Sequence, residues 1–241
     1  MNQCSKFANI NSIETMGLVD GPGIRVVIFL QGCNLRCLYC HNPETWSCEN
    51  NNLMSVDDVV NKVLRYKNYI SKNGGVTFSG GEPLLQSEFV YECCKRLKEE
   101  NIHICVDTSG VCEVYEELID LVDLFIVDVK SVDSKEYEYI TGRSMDEYNK
   151  FMELIQKKNK KIWIRQVIVP FLNDDEKHVE DLVKYVKDLK NVEKVELLAY
   201  HTMGKEKYDK LNIKYRLEGV EHLSKDKIDY LRSLLNSKLG V

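Results

Sequence analysis

Little in this chain breaks or divides it. Four prolines and thirteen glycines are spread over 241 residues. No Pro/Gly/Ser-rich linker, internal repeat or low-complexity tract appears, so a single domain over 1–241 is expected. No run of eighteen or more apolar residues is present, which argues against a membrane-spanning helix. The first residues lack the apolar stretch of a signal peptide, and a cytoplasmic chain is expected. Positive charge is not in excess either. A net charge of −5 and a pI near 5.7 argue against nucleic-acid partners and acidic membrane surfaces. No Ser-His-Asp or Cys-His arrangement for nucleophilic catalysis stands out.

What the chain does have is cysteine. Nine is a high and odd number for a reducing compartment. Three fall within Cys33-Asn34-Leu35-Arg36-Cys37-Leu38-Tyr39-Cys40. Cys4, Cys48, Cys93, Cys94, Cys105 and Cys112 are scattered and read as packing or surface thiols. A disulfide scaffold would spread its cysteines regularly over a much shorter chain.

Short apolar runs alternate with longer helical patterns. Strands are expected at 24–30, 75–78, 102–107, 124–129, 161–169 and 194–199, rich in Val, Ile or Phe and buried on both faces. Helices are expected between and after them. One carries Val56, Val59, Val60, Val63 and Leu64, with Ser55 as N-cap and Asp57 and Asp58 in its first turn. The others are at 87–100, 113–121, 146–159, 175–189 and 224–239. Six strands and six helices make an α/β fold, a partial (β/α)6 TIM-like barrel with a short extension at 1–20. Right-handed crossovers place every strand C-terminus on one face, where the loops build the site.

The cysteine triplet follows the first strand directly. Spacings of four and three let one loop wrap three corners of a [4Fe–4S] cluster, leaving the fourth iron open for chemistry. Arg36 lies within the loop, where its charge favours thiolates. The alternatives are a zinc site that adds His41, or reduced cysteines with no metal. Structural zinc usually combines two separated ligand pairs, so the cluster is favoured.

Cys-x3-Cys-x2-Cys with an aromatic residue before the last cysteine resembles the radical S-adenosylmethionine signature. That resemblance implies that the amino and carboxylate groups of S-adenosylmethionine chelate the open iron, and that one electron from the reduced cluster yields a 5′-deoxyadenosyl radical. Val19-Asp20-Gly21-Pro22-Gly23-Ile24-Arg25, Phe29 to Cys33 and Tyr39 to Pro43 narrow it further. Together they resemble the glycyl-radical-enzyme activases, those of pyruvate formate-lyase above all, over 20–217. The implied reaction is removal of a glycine Cα hydrogen from a glycyl radical enzyme, with pyruvate formate-lyase the expected partner. A flavodoxin- or ferredoxin-type electron donor and a monomeric chain are expected with it. Only Cys48 lies between Cys40 and Cys93, so the ferredoxin-like insert of other activases is not expected. Activation of anaerobic ribonucleotide reductase, a small-molecule substrate and a non-catalytic metal module remain the alternatives.

The remaining motifs fall at strand ends. Gly74 to Pro83 carries Ser79-Gly80-Gly81-Glu82, whose glycines allow close backbone approach to a ligand. The resemblance puts the cofactor's amino group at Gly81. Asp107 and Asp128 end the third and fourth strands, and unpaired buried carboxylates there would be costly, so a ligand or a lysine pair is expected. Arg165, in the apolar fifth strand, must reach either the cofactor carboxylate or an aspartate. The resemblance implies cofactor contacts at Tyr39, His41, Gly81, Asp128, Val129, Lys130 and His201. It also implies a monovalent cation at Asp107, Thr108, Asp128 and Val129, and a partner contact at Asp20. Tyr208 and the charged stretch 205–216 are candidates for the partner-binding rim.

Overall fold

The structure, a computed structural model, describes residues 6–49, 52–113 and 115–240. Cys4 lies outside these described residues. The chain runs β1 (Phe7–Gly17), β2 (Arg25–Leu30), β3 (Leu53–Ser55), α1 (Val56–Leu64), α2 (Lys67–Ile70), β4 (Gly75–Gly80), α3 (Ser87–Glu99) and β5 (Ile104–Thr108). It continues through α4 (Glu116–Leu121), β6 (Leu124–Asp128), α5 (Ser134–Thr141), α6 (Asp146–Lys157), β7 (Lys161–Ile168) and α7 (Glu176–Asp188). It closes with β8 (Val192–Ala199), α8 (Lys205–Lys210) and α9 (Lys225–Leu239).

The strands form one sheet in the order β3-β1-β2-β4-β5-β6-β7-β8. From β2 to β8 every pairing is parallel and sequential, the arrangement of successive βα units. These six strands are the expected ones, within a few residues at their ends. β3 and β8 are the two edges, so the barrel is open along one side.

Two strands exceed the expectation. The extension at 1–20 contains β1, which pairs antiparallel with β2, and β3 adds antiparallel to β1. β1 is rich in Asn, Ser, Thr and Glu, and several of its side chains face solvent, so it lacks the apolar run that marks the parallel strands. Gln86 fastens this edge: its side-chain carbonyl accepts from Asn9 N at 2.9 Å, and its amide donates to Asn9 O at 3.1 Å and Gln31 O at 2.9 Å. α2, α5 and α8 were also not expected, being too short to show a helical period.

Local chemistry explains the helix starts. Ser55 and Asp58 form a reciprocal capping box on α1, Asp175 caps α7 through His178 N, and Ser224 caps α9 through Lys227 N. Asp175 and Ser224 are therefore caps one residue before their helices. Val76, Phe78, Ile104, Val106, Phe125, Val127, Ile162 and Ile164 belong to the main core with Phe89, Val90, Cys93, Cys94 and Leu97 of α3. Cys93 and Cys94 are packing thiols, as their sequence context suggested. Cys105, Leu124, Ile126 and Trp163 make a separate apolar cluster. Strand alternation assigns this cluster to the inner face of the barrel.

Candidate active site

After β2 the chain carries residues 31–42 over the C-terminal ends of the strands. The loop is pinned from outside. Arg36 N donates to Thr141 O at 2.9 Å and Leu38 N to Ile140 O at 3.0 Å, both at the end of α5. From α8, Tyr208 Oη donates to Cys40 O at 2.9 Å. Tyr208 thus supports the cysteine loop.

Cys33, Cys37 and Cys40 line one cavity of about 200 Å3 together with Tyr39, His41, Gly81, Asp107, Thr108, Asp128 and Lys130. The first βα loop, the β4 turn and the ends of β5 and β6 thus meet where the sequence placed them. Burial pushes Cys33 up to about 12 and Cys37 up to about 11, and raises Cys40 as well. Bare thiols here stay protonated, and metal coordination is what would release their protons.

The donor set suits an iron–sulfur cubane, in which each thiolate takes a separate iron. It does not suit one zinc ion. Among the described residues no three His, Cys, Asp or Glu side chains converge as ligands of a single ion. His41 is engaged elsewhere, stacked on His201 at 3.8 Å between ring centroids, with Nε2 donating to His201 O at 3.0 Å.

Lys130, almost fully buried, forms an ion pair with Asp128 and lies 5.4 Å from the centre of the Tyr39 ring. Burial works against the Lys130 ammonium, but the hydrogen-bonded Asp128 carboxylate outweighs it and holds its pKa above the usual value. Asp128 Oδ1 and Tyr39 Oη are buried without a hydrogen-bond partner. Orphaned polar atoms facing a cavity mark the place of a polar ligand. The glycine pair leaves no room for side chains. Gly80 has φ +117°, and a Cβ on Gly81 would sit 2.2 Å from Gly32 O.

Asp107 accepts from Ser79 Oγ at 3.1 Å and lies 3.8 Å from Arg165. Burial pushes it up to about 6 against the pull of Arg165. Arg165 Nε also donates to Glu196 at 2.9 Å and another guanidinium nitrogen donates to Val19 O. Its partners are therefore carboxylates and a backbone carbonyl, and it does not line the cavity. Val129 is a core residue whose N–H donates to Arg165 O at 2.7 Å. His201 stands behind His41. Asp20 sits on the loop between β1 and β2, where its carbonyl accepts from Thr77 Oγ1 at 2.6 Å and burial raises its carboxyl pKa.

Glu82 was overlooked by sequence reasoning. Fully buried, it accepts from Thr108 Oγ1 at 2.6 Å, Ser109 N at 2.8 Å, Ser109 Oγ at 2.5 Å and Leu84 N at 3.1 Å. It locks the β4 turn to the end of β5. A carboxylate immediately after two glycines at a strand end was the available signal.

Residues 27–186 match the Radical SAM superfamily. The chain is 46% identical over 97% of its length to a pyruvate formate-lyase-activating enzyme of Clostridium pasteurianum, covering 99% of it. To the pyruvate formate-lyase 1-activating enzyme of Escherichia coli K12 it is 39% identical, over 96% of each chain. Among solved structures, a domain of pyruvate-formate lyase-activating enzyme from Bacteroides vulgatus superposes with a TM-score of 0.55 at 25% identity, covering 68% of this chain and 94% of that one. Streptococcus suis SuiB bound to its precursor peptide SuiA gives a TM-score of 0.62 at 17% identity, over 79% of this chain and 41% of SuiB, a likeness of fold alone.

Proposed function

Because this chain belongs to the radical SAM superfamily and, within it, to the family of pyruvate formate-lyase-activating enzymes, we propose that it activates a glycyl radical enzyme, pyruvate formate-lyase. When bound, a [4Fe–4S] cluster and S-adenosylmethionine supply a 5′-deoxyadenosyl radical that takes a hydrogen atom from a glycine Cα of that partner.

The observation that carries the proposal is the meeting of three buried thiols with Gly81, Asp128 and Lys130 around one cavity. Cys33, Cys37 and Cys40 would hold the cluster. Gly81 lines the cavity and would meet a ligand's amino group with its backbone, Lys130 offsets a carboxylate, and the free Asp128 Oδ1 accepts from an ammonium or hydroxyl. Tyr39 and His41 line the cavity beside them, and His201 backs His41 by stacking on it. Asp107, Thr108, Asp128 and the backbone of Val129 are the oxygen donors for a monovalent cation. Arg165 contributes through Asp107, and Asp20 lies on the loop offered to the partner. A monomer in the cytoplasm, served by a flavodoxin- or ferredoxin-type donor, completes the proposal. The cysteines of the described residues are free thiols, in keeping with a reducing compartment.

The test is anaerobic reconstitution with iron, sulfide, S-adenosylmethionine, a reductant and pyruvate formate-lyase. A glycyl radical signal should appear in the lyase and vanish in Cys37→Ala. Cleavage of S-adenosylmethionine without that signal would point to a different substrate.

A further inference from the structure

We propose that Arg36, Arg143 and Arg216 form the docking surface for an acidic one-electron-donor protein that reduces the cluster held by the adjacent cysteine loop. The inference rests on the radical SAM function above and adds where the electron arrives. All three arginines are exposed, and their guanidiniums converge on one short stretch of backbone. Arg36 Nη1 donates to Cys33 O at 2.7 Å and Leu35 O at 2.8 Å. Arg143 Nε donates to Asn34 O at 3.3 Å. Arg216 reaches Arg36 O at 3.1 Å and Tyr139 O at 3.4 Å. These carbonyls, apart from Tyr139 O, belong to the segment joining the first two cysteines.

Neutral carbonyls orient the guanidiniums without cancelling their charge. None of the three arginines pairs with a carboxylate among the described residues. The neighbouring lysines differ: Lys205 is spent on Glu218 and Lys207 on Glu44. Each guanidinium has five N–H donors, so most remain free for carboxylates of a partner. Arg36 is further steadied by the Trp46 ring, 5.0 Å from its guanidinium carbon.

The overall charge of −5 makes this local cationic face selective. An acidic protein is repelled by most of the surface and finds attraction here, which both orients it and speeds its encounter. The loop turns its thiols to the cavity and these carbonyls to the arginines, so a seated donor leaves the cavity to the glycyl partner. One electron moves: the donor is oxidised by one, the cluster is reduced by one, and no bond or proton changes hands.

The test uses the reconstituted full-length protein with a flavodoxin as donor probe. In R143E/R216E the flavodoxin dissociation constant should rise by roughly tenfold or more, and the steep salt dependence of wild-type binding should flatten. R143Q/R216Q should show a smaller loss of the same kind, which keeps the test intact if charge reversal unfolds the loop. R143K/R216K, which keeps the charge but loses the planar fork, should retain affinity within about threefold. Dithionite, which needs no docking surface, should bleach the cluster equally in all of them. Unchanged flavodoxin affinity in R143E/R216E, or equal loss in R143K/R216K, overturns the docking surface. Failure of the dithionite-reduced wild type to cleave S-adenosylmethionine overturns the underlying function instead.

Discussion

Glu82 shows how much one residue can organise at this site. Its four hydrogen bonds come from three residues, and two of those residues lie 26 and 27 positions further along the chain. In Glu82→Gln an amide nitrogen replaces one acceptor oxygen and meets hydrogens where lone pairs are needed. The substitution should cost about 2–3 kcal/mol of stability, read from urea unfolding, since bonds to a charged acceptor are lost in a buried place. Full stability in Glu82→Gln would mean the turn is held by its backbone alone. The contrast with Cys33, Cys37 and Cys40 is instructive. Ligands that sit within one loop are legible from spacing, because local chain geometry brings them together. The partners of Glu82 are set by the parallel pairing of β4 with β5, which spacing does not reveal.

At the scale of elements, the loop between β1 and β2 depends on Arg25, which is fully buried on the first residue of β2. Its Nε donates to Thr77 Oγ1 at 2.7 Å, its Nη1 donates to Pro22 O at 3.1 Å, and Thr77 passes a hydrogen bond on to Asp20 O. His103 Nδ1 lies 3.4 Å from Arg25 Nη1. A guanidinium can only donate, so Nδ1 accepts and the imidazole is neutral. Burial first, and Arg25 second, lower the His103 pKa below its ordinary 6.5. A lowered histidine means that the unfolded chain binds a proton the folded chain refuses. Stability from this group is therefore present above about pH 6.5 and lost as pH falls below it. Urea midpoints should decline on acidification through that window, and H103Q should decline less; equal slopes would remove His103 from the account.

The elements themselves were unequally legible. The parallel strands announced themselves as apolar runs buried on both faces. β1 did not, because an antiparallel strand near the sheet edge keeps polar residues on its open side. α5 was missed for a related reason. Its eight residues are too few for a clear period, and Asp133 as cap and Gly142 at φ +74° delimit it only once the fold is known.

For the whole molecule, the open barrel raises the question of what links its walls. Arg165 on β7 answers it by donating to Val19 O on the loop before β2, while Glu196 and Asp107 hold the same guanidinium from the β8 and β5 sides. Glu196 is the ladder neighbour of Arg165, but Asp107 lies two strands away on β5 and Val19 on a loop outside the parallel strands. Arg165→Ala should speed amide hydrogen exchange across residues 18–24 by roughly tenfold while β6 and β7 keep their protection. Unaltered exchange in the loop would show that Arg25 and Thr77 suffice. Sequence reasoning had asked whether Arg165 reaches a ligand or an aspartate. The structure adds Glu196 and Val19, neither of which its local context could indicate.

The sequence by itself determined the βα rhythm, the thiol loop and the carboxylates at strand ends, because each is written within a few consecutive residues. The cavity shared by Cys37, Gly81, Asp128 and Lys130 was an expectation from that rhythm, since parallel strands in sequential order bring their C-terminal ends together. The tertiary structure chose the Lys130–Asp128 pair from the alternatives the sequence left open, and it alone decided that His41 stacks on His201 and that Glu82 locks two strands. It alone decided, too, that three arginines gather on one stretch of loop. Except for Lys130 with Asp128 and Arg36 within its own loop, those pairings join residues 26 to 180 positions apart, and packing of the completed sheet and helices sets them.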